Sequence, residues 1–130
     1  RIMKHWTVGY GASYNPHRKE ALELIEIWTS LEDCVREVTK VEAEKPCIMA
    51  TDASEQNERS ITYPEAKRMV ASERVVLLLF GTAWGLVKEV FDQADHILDP
   101  IVGGAGYNHL SVRSAAAIIL DRLAGRYLEG

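Results

Sequence analysis

Two glycine-containing loops in the second half of the chain are the segments best suited to bind a ligand. The first, Gly81-Thr82-Ala83-Trp84-Gly85, follows the apolar run Val75–Phe80, and the second, residues 103–106, follows the shorter run His96–Leu98. Any one of these glycines could simply serve a turn, but without a Cβ atom glycine also lets the backbone approach a ligand closely. Together the loops predict a site built largely from main chain.

The common nucleotide and metal signatures are missing from the sequence. Neither loop continues as Gly-Lys-Ser/Thr, and no Gly-x-Gly-x-x-Gly with a later acid is present. The histidines and cysteines lack the spacing of metal ligands, and the two cysteines are expected to be buried and reduced, as in a cytoplasmic protein. These residues are His5, His17, His96, His109, Cys34 and Cys47.

Strand and helix patterns alternate along the chain. The continuous apolar run Val75–Phe80 predicts a central strand buried on both faces. Further strands are predicted at Leu24–Trp28, Cys47–Ala50 and His96–Leu98. Four helices are predicted, each after a polar residue that can cap it: Pro16–Leu24 after Asn15, one after Ser30, one from Tyr63 after Thr62, and Val112–Leu123 after Ser111. The helix after Ser30 is expected to turn its apolar residues to the core, namely Leu31, Cys34, Val35, Val38 and Val41.

This alternation predicts an α/β fold with a mostly parallel sheet flanked by helices. In open sheets of this kind ligands bind at the carboxyl ends of the strands, where loops and helix N-termini converge. Both glycine loops follow predicted strands, so they are expected to meet at this edge of the sheet.

Length and composition are those of one globular domain, residues 1–130, in which 47% of residues are hydrophobic. No apolar run is long enough for a membrane span, and no signal peptide pattern opens the chain. The formal net charge is −4, so any contact with nucleic acid must use a local basic patch.

The glycine- and aromatic-rich segment Thr7–Tyr14 has two interpretations. It is either a tight connection with surface tyrosines or a loop that faces a substrate, with Tyr10, Asn15 and Arg18 in contact with phosphate or a base. Arg18 lies near a helix N-terminus, where the positive end of the helix dipole repels its guanidinium. This arrangement favours an anionic partner from outside the chain.

Three motifs in the second half resemble the C-terminal knot of the SPOUT RNA methyltransferases, in particular the tRNA (guanine-N1)-methyltransferase-like branch. They are Gly81-Thr82-Ala83-Trp84-Gly85-Leu86, Ile97-Leu98-Asp99-Pro100-Ile101 and Tyr107-Asn108-His109-Leu110-Ser111-Val112-Arg113-Ser114-Ala115-Ala116-Ala117. The resemblance implies a C-terminal trefoil knot and a cytoplasmic homodimer that binds S-adenosylmethionine. It also implies that the chain lacks an N-terminal segment of the family.

Together, the residues and the resemblance predict roles for individual side chains. Arg113 and Asn108 are predicted to be catalytic, and Asp52 and Asp99 are further candidates for accepting a proton or stabilising charge. Tyr10, Asn15 and Arg18 are predicted to contact RNA. The predicted cofactor-binding residues are Leu79, Phe80, Gly81, Thr82, Gly85, Ile101, Val102, Gly103, Gly104, Leu110, Ser111 and Ala115.

Two functions follow from these implications. The first is an S-adenosylmethionine-dependent RNA methyltransferase domain that acts on tRNA or rRNA. The alternative is a non-catalytic knot domain that binds cofactor or RNA as an accessory part of a larger methyltransferase, which the acidic composition and the missing segment favour.

Overall fold

The structure, a computed structural model, describes residues 7–52, 58–102 and 110–126. The chain divides into two compact units, residues 1–34 and 35–130, and the described part of each is treated by itself. The boundary falls within one helix. Among the described residues, no helix is both long and apolar enough to cross a membrane.

The N-terminal unit is helical. Helix α1 spans Tyr10–Tyr14, α2 spans Pro16–Glu23, and α3 spans Leu31–Glu42, continuing into the second unit. Asn15 caps α2 by accepting a hydrogen bond from the Arg18 N–H at 3.0 Å, which confirms the predicted start of this helix. The prediction of a loop over Thr7–Tyr14 is wrong in its second half, where α1 forms.

Leu24–Trp28 does not form the predicted strand. Leu24 and Ile25 instead close the end of α2 with N–H bonds to the carbonyls of Ala21 and Leu22. A strand needs a neighbouring strand to satisfy its backbone groups, and the described part of the N-terminal unit holds none. Leu24 and Ile27 consequently remain 85% and 88% exposed.

Helix α3 begins as its sequence predicts, because Ser30 Oγ accepts a hydrogen bond from the Asp33 N–H at 3.1 Å. Its apolar face is covered only in part. Leu31, Cys34, Val35 and Val38 are half-buried, whereas Val41 is 68% exposed, so the prediction of Val41 as a core residue is wrong.

The second unit is built on a four-stranded parallel sheet with strand order β2-β4-β1-β3. The strands are β1 at Cys47–Thr51, β2 at Ser60–Ile61, β3 at Val76–Leu79 and β4 at His96–Leu98. The predicted parallel α/β arrangement is confirmed. Two details differ: the two-residue strand β2 was not predicted, and β3 is a half-buried edge strand rather than a central one.

Helices cover both faces of this sheet. They include α4 at Tyr63–Ala71, the short α5 at Lys88–Phe91 and α6 at Val112–Ala124. Because side chains alternate along a strand, β1 sends Met49 to one face, where residues of α4 and α6 complete the core. Ile48 and Ala50 point to the other face, where Val35 of α3 and Phe91 of α5 pack.

The predicted caps of α4 and α6 are confirmed. Thr62 and Glu65 form a reciprocal capping box at the start of α4, and Pro64 occupies its first turn. Ser111 caps α6 by accepting a hydrogen bond from the Ser114 N–H at 3.2 Å. Tyr63 in the first turn of α4 and Val112 in that of α6 lie near the carboxyl ends of the strands.

Candidate functional site

A cavity of about 460 Å³ lies at the carboxyl edge of the sheet. It is bounded by the residues that follow β1, β3 and β4 and by the first turns of α4 and α6, where the fold class predicts a ligand. Its lining residues are Thr51, Asp52, Tyr63, Phe80, Gly81, Thr82, Ala83, Trp84, Gly85, Leu98, Asp99, Pro100, Ile101, Leu110, Val112, Ala115 and Ile119.

The turn after β3 forms one wall of the cavity. The Gly85 N–H donates to the Thr82 carbonyl at 2.9 Å, and the Trp84 N–H donates to Thr82 Oγ1 at 3.3 Å. Gly85 has a φ of +80°, which favours glycine. A Cβ atom at Gly81 would lie 2.4 Å from the Gly85 carbonyl carbon, so the turn closes tightly enough to require glycine at position 81.

Polar side chains from two strand ends line the cavity among mostly apolar neighbours. Asp52 follows β1 and Asp99 follows β4. Thr51 Oγ1 donates a hydrogen bond to the Leu79 carbonyl at 2.9 Å, which ties the end of β1 to the end of β3. The cavity therefore combines carboxylate oxygens at the strand ends with walls suited to an apolar ring.

Tyr63, in the first turn of α4, also lines the cavity. Its ring stacks beneath the guanidinium of Arg122, with 4.6 Å from Arg122 Cζ to the ring centroid. Its hydroxyl is buried and makes no hydrogen bond of standard geometry with the described residues, although the Arg122 guanidinium lies close enough to interact with it. Burial raises the pKa of Tyr63, while the positive charge of Arg122 opposes that shift, so the hydroxyl stays protonated at neutral pH.

Helix α6 supplies the opposite wall through Val112, Ala115 and Ile119, which recur at helical spacing. Ile119 is buried in the core and anchors this face. Arg113 follows Val112 in the first turn and is exposed. It does not itself line the cavity.

Most of the predicted cofactor-binding residues that the structure describes do line this cavity. They are Phe80, Gly81, Thr82, Gly85, Ile101, Leu110 and Ala115. Three others lie elsewhere: Leu79 packs on the far face of the sheet, Val102 is 72% exposed, and the Ser111 hydroxyl caps α6. Gly103, Gly104 and Asn108 lie outside the described residues.

The predicted RNA contacts Tyr10, Asn15 and Arg18 belong to the N-terminal unit. Asn15 caps α2, and the Arg18 side chain is exposed. The cavity belongs entirely to the second unit.

Several cavity residues were not assigned to the site from sequence. Thr51 and Leu98 end strands that pair in the sheet, so their position beside the β3 turn depends on strand order. Val112 and Ile119 share a helical face with Ala115, a spacing visible in the sequence. Tyr63 gave no such signal, because a tyrosine after a cap residue is equally suited to the surface.

The described residues contain no group of three or more histidine, cysteine or acidic side chains that could hold a metal ion. Cys34 and Cys47 are both free. The pKa of Cys47 is raised, chiefly by burial and further by the negative charge of Asp95. A thiol kept protonated in this way is a poor nucleophile.

Comparison with known families identifies the class of this protein. Residues 1–125 match the family described as SAM-dependent RNA methyltransferase. The chain belongs to this family.

Individual relatives agree with that assignment. The chain is 42% identical over 124 residues to a tRNA (guanine-N(1)-)-methyltransferase of Oleidesulfovibrio alaskensis and 40% identical to one of Nitratidesulfovibrio vulgaris. Both matches cover 95% of this chain and only 28% of the relative. An uncharacterized protein of Aquifex aeolicus is 33% identical, over 97% of this chain and 62% of the relative.

A solved structure shows the same fold. A probable methylase family protein from Haemophilus influenzae superposes with a TM-score of 0.59 at 19% sequence identity. The match covers 82% of this chain and 48% of that protein. At this identity the likeness concerns the fold alone.

Proposed function

We propose that this chain is an S-adenosylmethionine-dependent RNA methyltransferase domain that acts on tRNA or rRNA. The observation that carries the proposal is the cavity at the carboxyl edge of a parallel sheet, between the β3 turn and the start of α6. Membership of the family supports the reaction class, and the names of the two bacterial relatives support tRNA as the substrate.

The cavity fits the cofactor in size and in chemistry. A volume of about 460 Å³ lies within the range of small-molecule sites, roughly 300–1,000 Å³. Phe80, Ile101 and Leu110 offer apolar surface to an adenine ring, and main-chain groups of the glycine turn can bond its edge. Asp52 and Asp99 offer acceptors for ribose hydroxyls or for an ammonium group. Of the other residues predicted from the resemblance, Gly103, Gly104 and Ser111 stay proposed cofactor contacts, whereas Leu79, on the far face of the sheet, and the exposed Val102 lie outside the cavity.

Bound S-adenosylmethionine supplies a methyl group activated by a sulfonium. The chain must then hold the acceptor atom of the RNA in line with that methyl group, since positioning alone lowers such a barrier substantially. A ring nitrogen such as N1 of guanine must also lose its proton, for which Asp52 or Asp99 is the base in this proposal. Arg113 and Asn108 orient the base or stabilise the charge that develops on it.

The family resemblance extends the proposal to the assembly. We infer a trefoil knot formed by the C-terminal segment, a homodimer in which Arg113 of one subunit approaches the cavity of the other, and a cytoplasmic location. Tyr10, Asn15 and Arg18 are the proposed RNA contacts of the N-terminal unit.

The decisive experiment has two parts. Calorimetric titration with S-adenosylhomocysteine tests binding, and transfer of a labelled methyl group from S-adenosylmethionine to unmodified tRNA tests catalysis. Leu110→Asp should abolish binding, because it places a charge on an apolar wall, whereas Val87→Asp, at an exposed valine outside the cavity, should not.

The two parts separate the candidate functions. Binding with transfer supports the enzyme. Binding without transfer, by a protein that folds normally, would instead support an accessory cofactor-binding domain. No binding of S-adenosylhomocysteine would exclude the enzyme and leave only an accessory domain that binds RNA.

A further inference from the structure

Trp84 stands out as the most exposed large apolar side chain recorded among the described residues, with 97% of its surface accessible. It lies at the cavity rim, in the tight turn after β3. A fully exposed tryptophan is unfavourable in water, so its position at a ligand site requires an explanation other than core packing.

The turn fixes the backbone that carries the indole rather than leaving it on a flexible tip. The Trp84 N–H donates to Thr82 Oγ1, and the Gly85 N–H that follows it donates to the Thr82 carbonyl. Gly81 closes the turn against the backbone of Gly85 and Leu86, with contacts too short to admit a side chain. An aromatic side chain on a backbone fixed in this way is already positioned to receive a partner.

The size of the exposed surface indicates the kind of partner. The residues on either side, Ala83 and Gly85, carry at most a methyl group, so the indole is the only large apolar side chain in this turn. Its surface is the right size to stack against one planar ring. A cofactor bound against the inner walls of the cavity would leave most of the Trp84 indole exposed, so we look for a second partner that covers it.

We propose that Trp84 is the stacking platform for the RNA base that receives the methyl group. An unpaired base splayed out of its strand stacks on an aromatic side chain in many RNA-binding proteins, and such a platform beside the cofactor cavity would bring the base to the methyl donor. The inference rests on the proposed methyltransferase function and adds the residue that selects an unpaired base.

Fluorescence provides a direct test, because the chain has three tryptophans, Trp6, Trp28 and Trp84. In the variant Trp6→Phe/Trp28→Phe the emission reports on Trp84 alone. A short single-stranded RNA should quench it, whereas the same RNA annealed to its complement should quench it much less. S-adenosylhomocysteine alone should leave it nearly unchanged.

Substitution provides the second readout. Trp84→Ala should weaken single-stranded RNA binding roughly tenfold or more and lower kcat/KM for tRNA, with unchanged affinity for S-adenosylhomocysteine. Trp84→Phe, which keeps an aromatic face, should recover most of both losses. The thermal unfolding midpoint should stay within error in both variants, since the indole packs against almost nothing.

Three results would overturn the inference while leaving the proposed function intact. Quenching by S-adenosylhomocysteine, or its weaker binding to Trp84→Ala, would mean that the indole covers the cofactor. A change in oligomeric state of Trp84→Ala would mean that another subunit covers it. Undiminished RNA binding and methyl transfer by Trp84→Ala would show that no base stacks there. Failure of the protein to bind S-adenosylhomocysteine at all would instead contradict the proposed function.

Discussion

At the scale of single residues, Gly81 has the most restrictive surroundings in the candidate site. A Cβ atom there would lie 2.4 Å from the Gly85 carbonyl carbon and 2.7 Å from the Leu86 nitrogen. Both neighbours are backbone, so the β3 turn would have to open. The wall of the cavity would move with it.

Gly81→Ala should therefore reduce S-adenosylhomocysteine affinity at least tenfold, while overpacking lowers the free energy of unfolding by about 1–3 kcal/mol. Gly125→Ala is the matched control, because a Cβ atom there would lie 2.3 Å from the Asp121 carbonyl oxygen but outside the cavity. It should be destabilised similarly and should bind normally. If calorimetry gave both variants the same affinity for S-adenosylhomocysteine, the β3 turn would not be part of the binding site.

At the scale of elements, Asp95 holds the start of β4 against β1. Its carboxylate accepts a hydrogen bond from the Ile48 N–H at 2.7 Å, and its own N–H donates to the Ile48 carbonyl at 2.8 Å. This pair sets the register in which Met49 lies opposite His96. The carboxyl ends of β1 and β4, with Asp52 and Asp99, then lie side by side.

Asp95→Ala should lower the free energy of unfolding by about 1.5–3 kcal/mol, the usual contribution of a hydrogen bond to a charged group. Asp92→Ala, which removes an exposed ion pair with Lys88, should cost at most about 1 kcal/mol. Urea unfolding measures the free energy of unfolding of both variants. Equal losses would show that the Asp95 contact contributes no more than a surface pair.

The cap of α4 makes stability depend on pH. Glu65 accepts hydrogen bonds from the backbone N–H and the hydroxyl of Thr62, both at 2.9 Å. These bonds, the backbone one first, lower the pKa of Glu65 below its usual 4.5. The stabilisation is therefore fully present above pH 4.5 and is lost as the pH falls through the lower pKa of the folded state.

Glu65→Gln should accordingly lose stability at neutral pH and show a shallower decline between pH 5 and pH 3 than the unaltered protein, as measured by urea unfolding at each pH. Thr62→Val, which removes the hydroxyl but keeps the backbone N–H, should show an intermediate slope. Superimposable profiles for all three proteins would contradict the assignment.

The same elements show what the sequence could predict. The start of α6 followed from local rules, because a serine that caps a helix needs only its own neighbours, and the Ser111 bond to the Ser114 N–H is such an interaction. The turn at residues 81–85 was placed after a strand for the same reason, and it does follow β3; the second loop, residues 103–106, lies outside the described residues. Apolar content alone could not place β3 in the sheet, since Val76–Leu79 is just as apolar at an edge as at the centre.

Non-local partners account for the remaining errors. Leu24–Trp28 has the composition of a strand, yet a strand requires a neighbour that the described N-terminal unit does not provide. Strand β2 has two residues, too few for an alternating pattern, and forms because Ser60 and Ile61 pair with β4. Tyr63 reaches the cavity through the packing of α4 on the sheet, which no spacing in the sequence encodes.

At the scale of the whole molecule, α6 carries more apolar surface than its own sheet covers. Ile119 and Leu123 are buried, whereas Leu120 is 54% and Val112 is 39% exposed. A helix with an apolar surface this broad favours a second packing partner. A twofold-symmetric contact through α6 would bring each exposed Arg113 towards the other subunit, as the proposed dimer requires.

Leu120→Glu should therefore convert the proposed dimer into a monomer, because the interface would have to bury two carboxylates without partners. The fold should survive, since Leu120 is already half exposed. Leu24→Glu, the same change at a leucine that is 85% exposed in the N-terminal unit, should leave the dimer intact. Sedimentation equilibrium at micromolar concentration measures the oligomeric state of both variants.

A Leu120→Glu protein that still sediments as a dimer would exclude this face of α6 from the interface. An unaltered protein that sediments as a monomer would exclude the dimer itself.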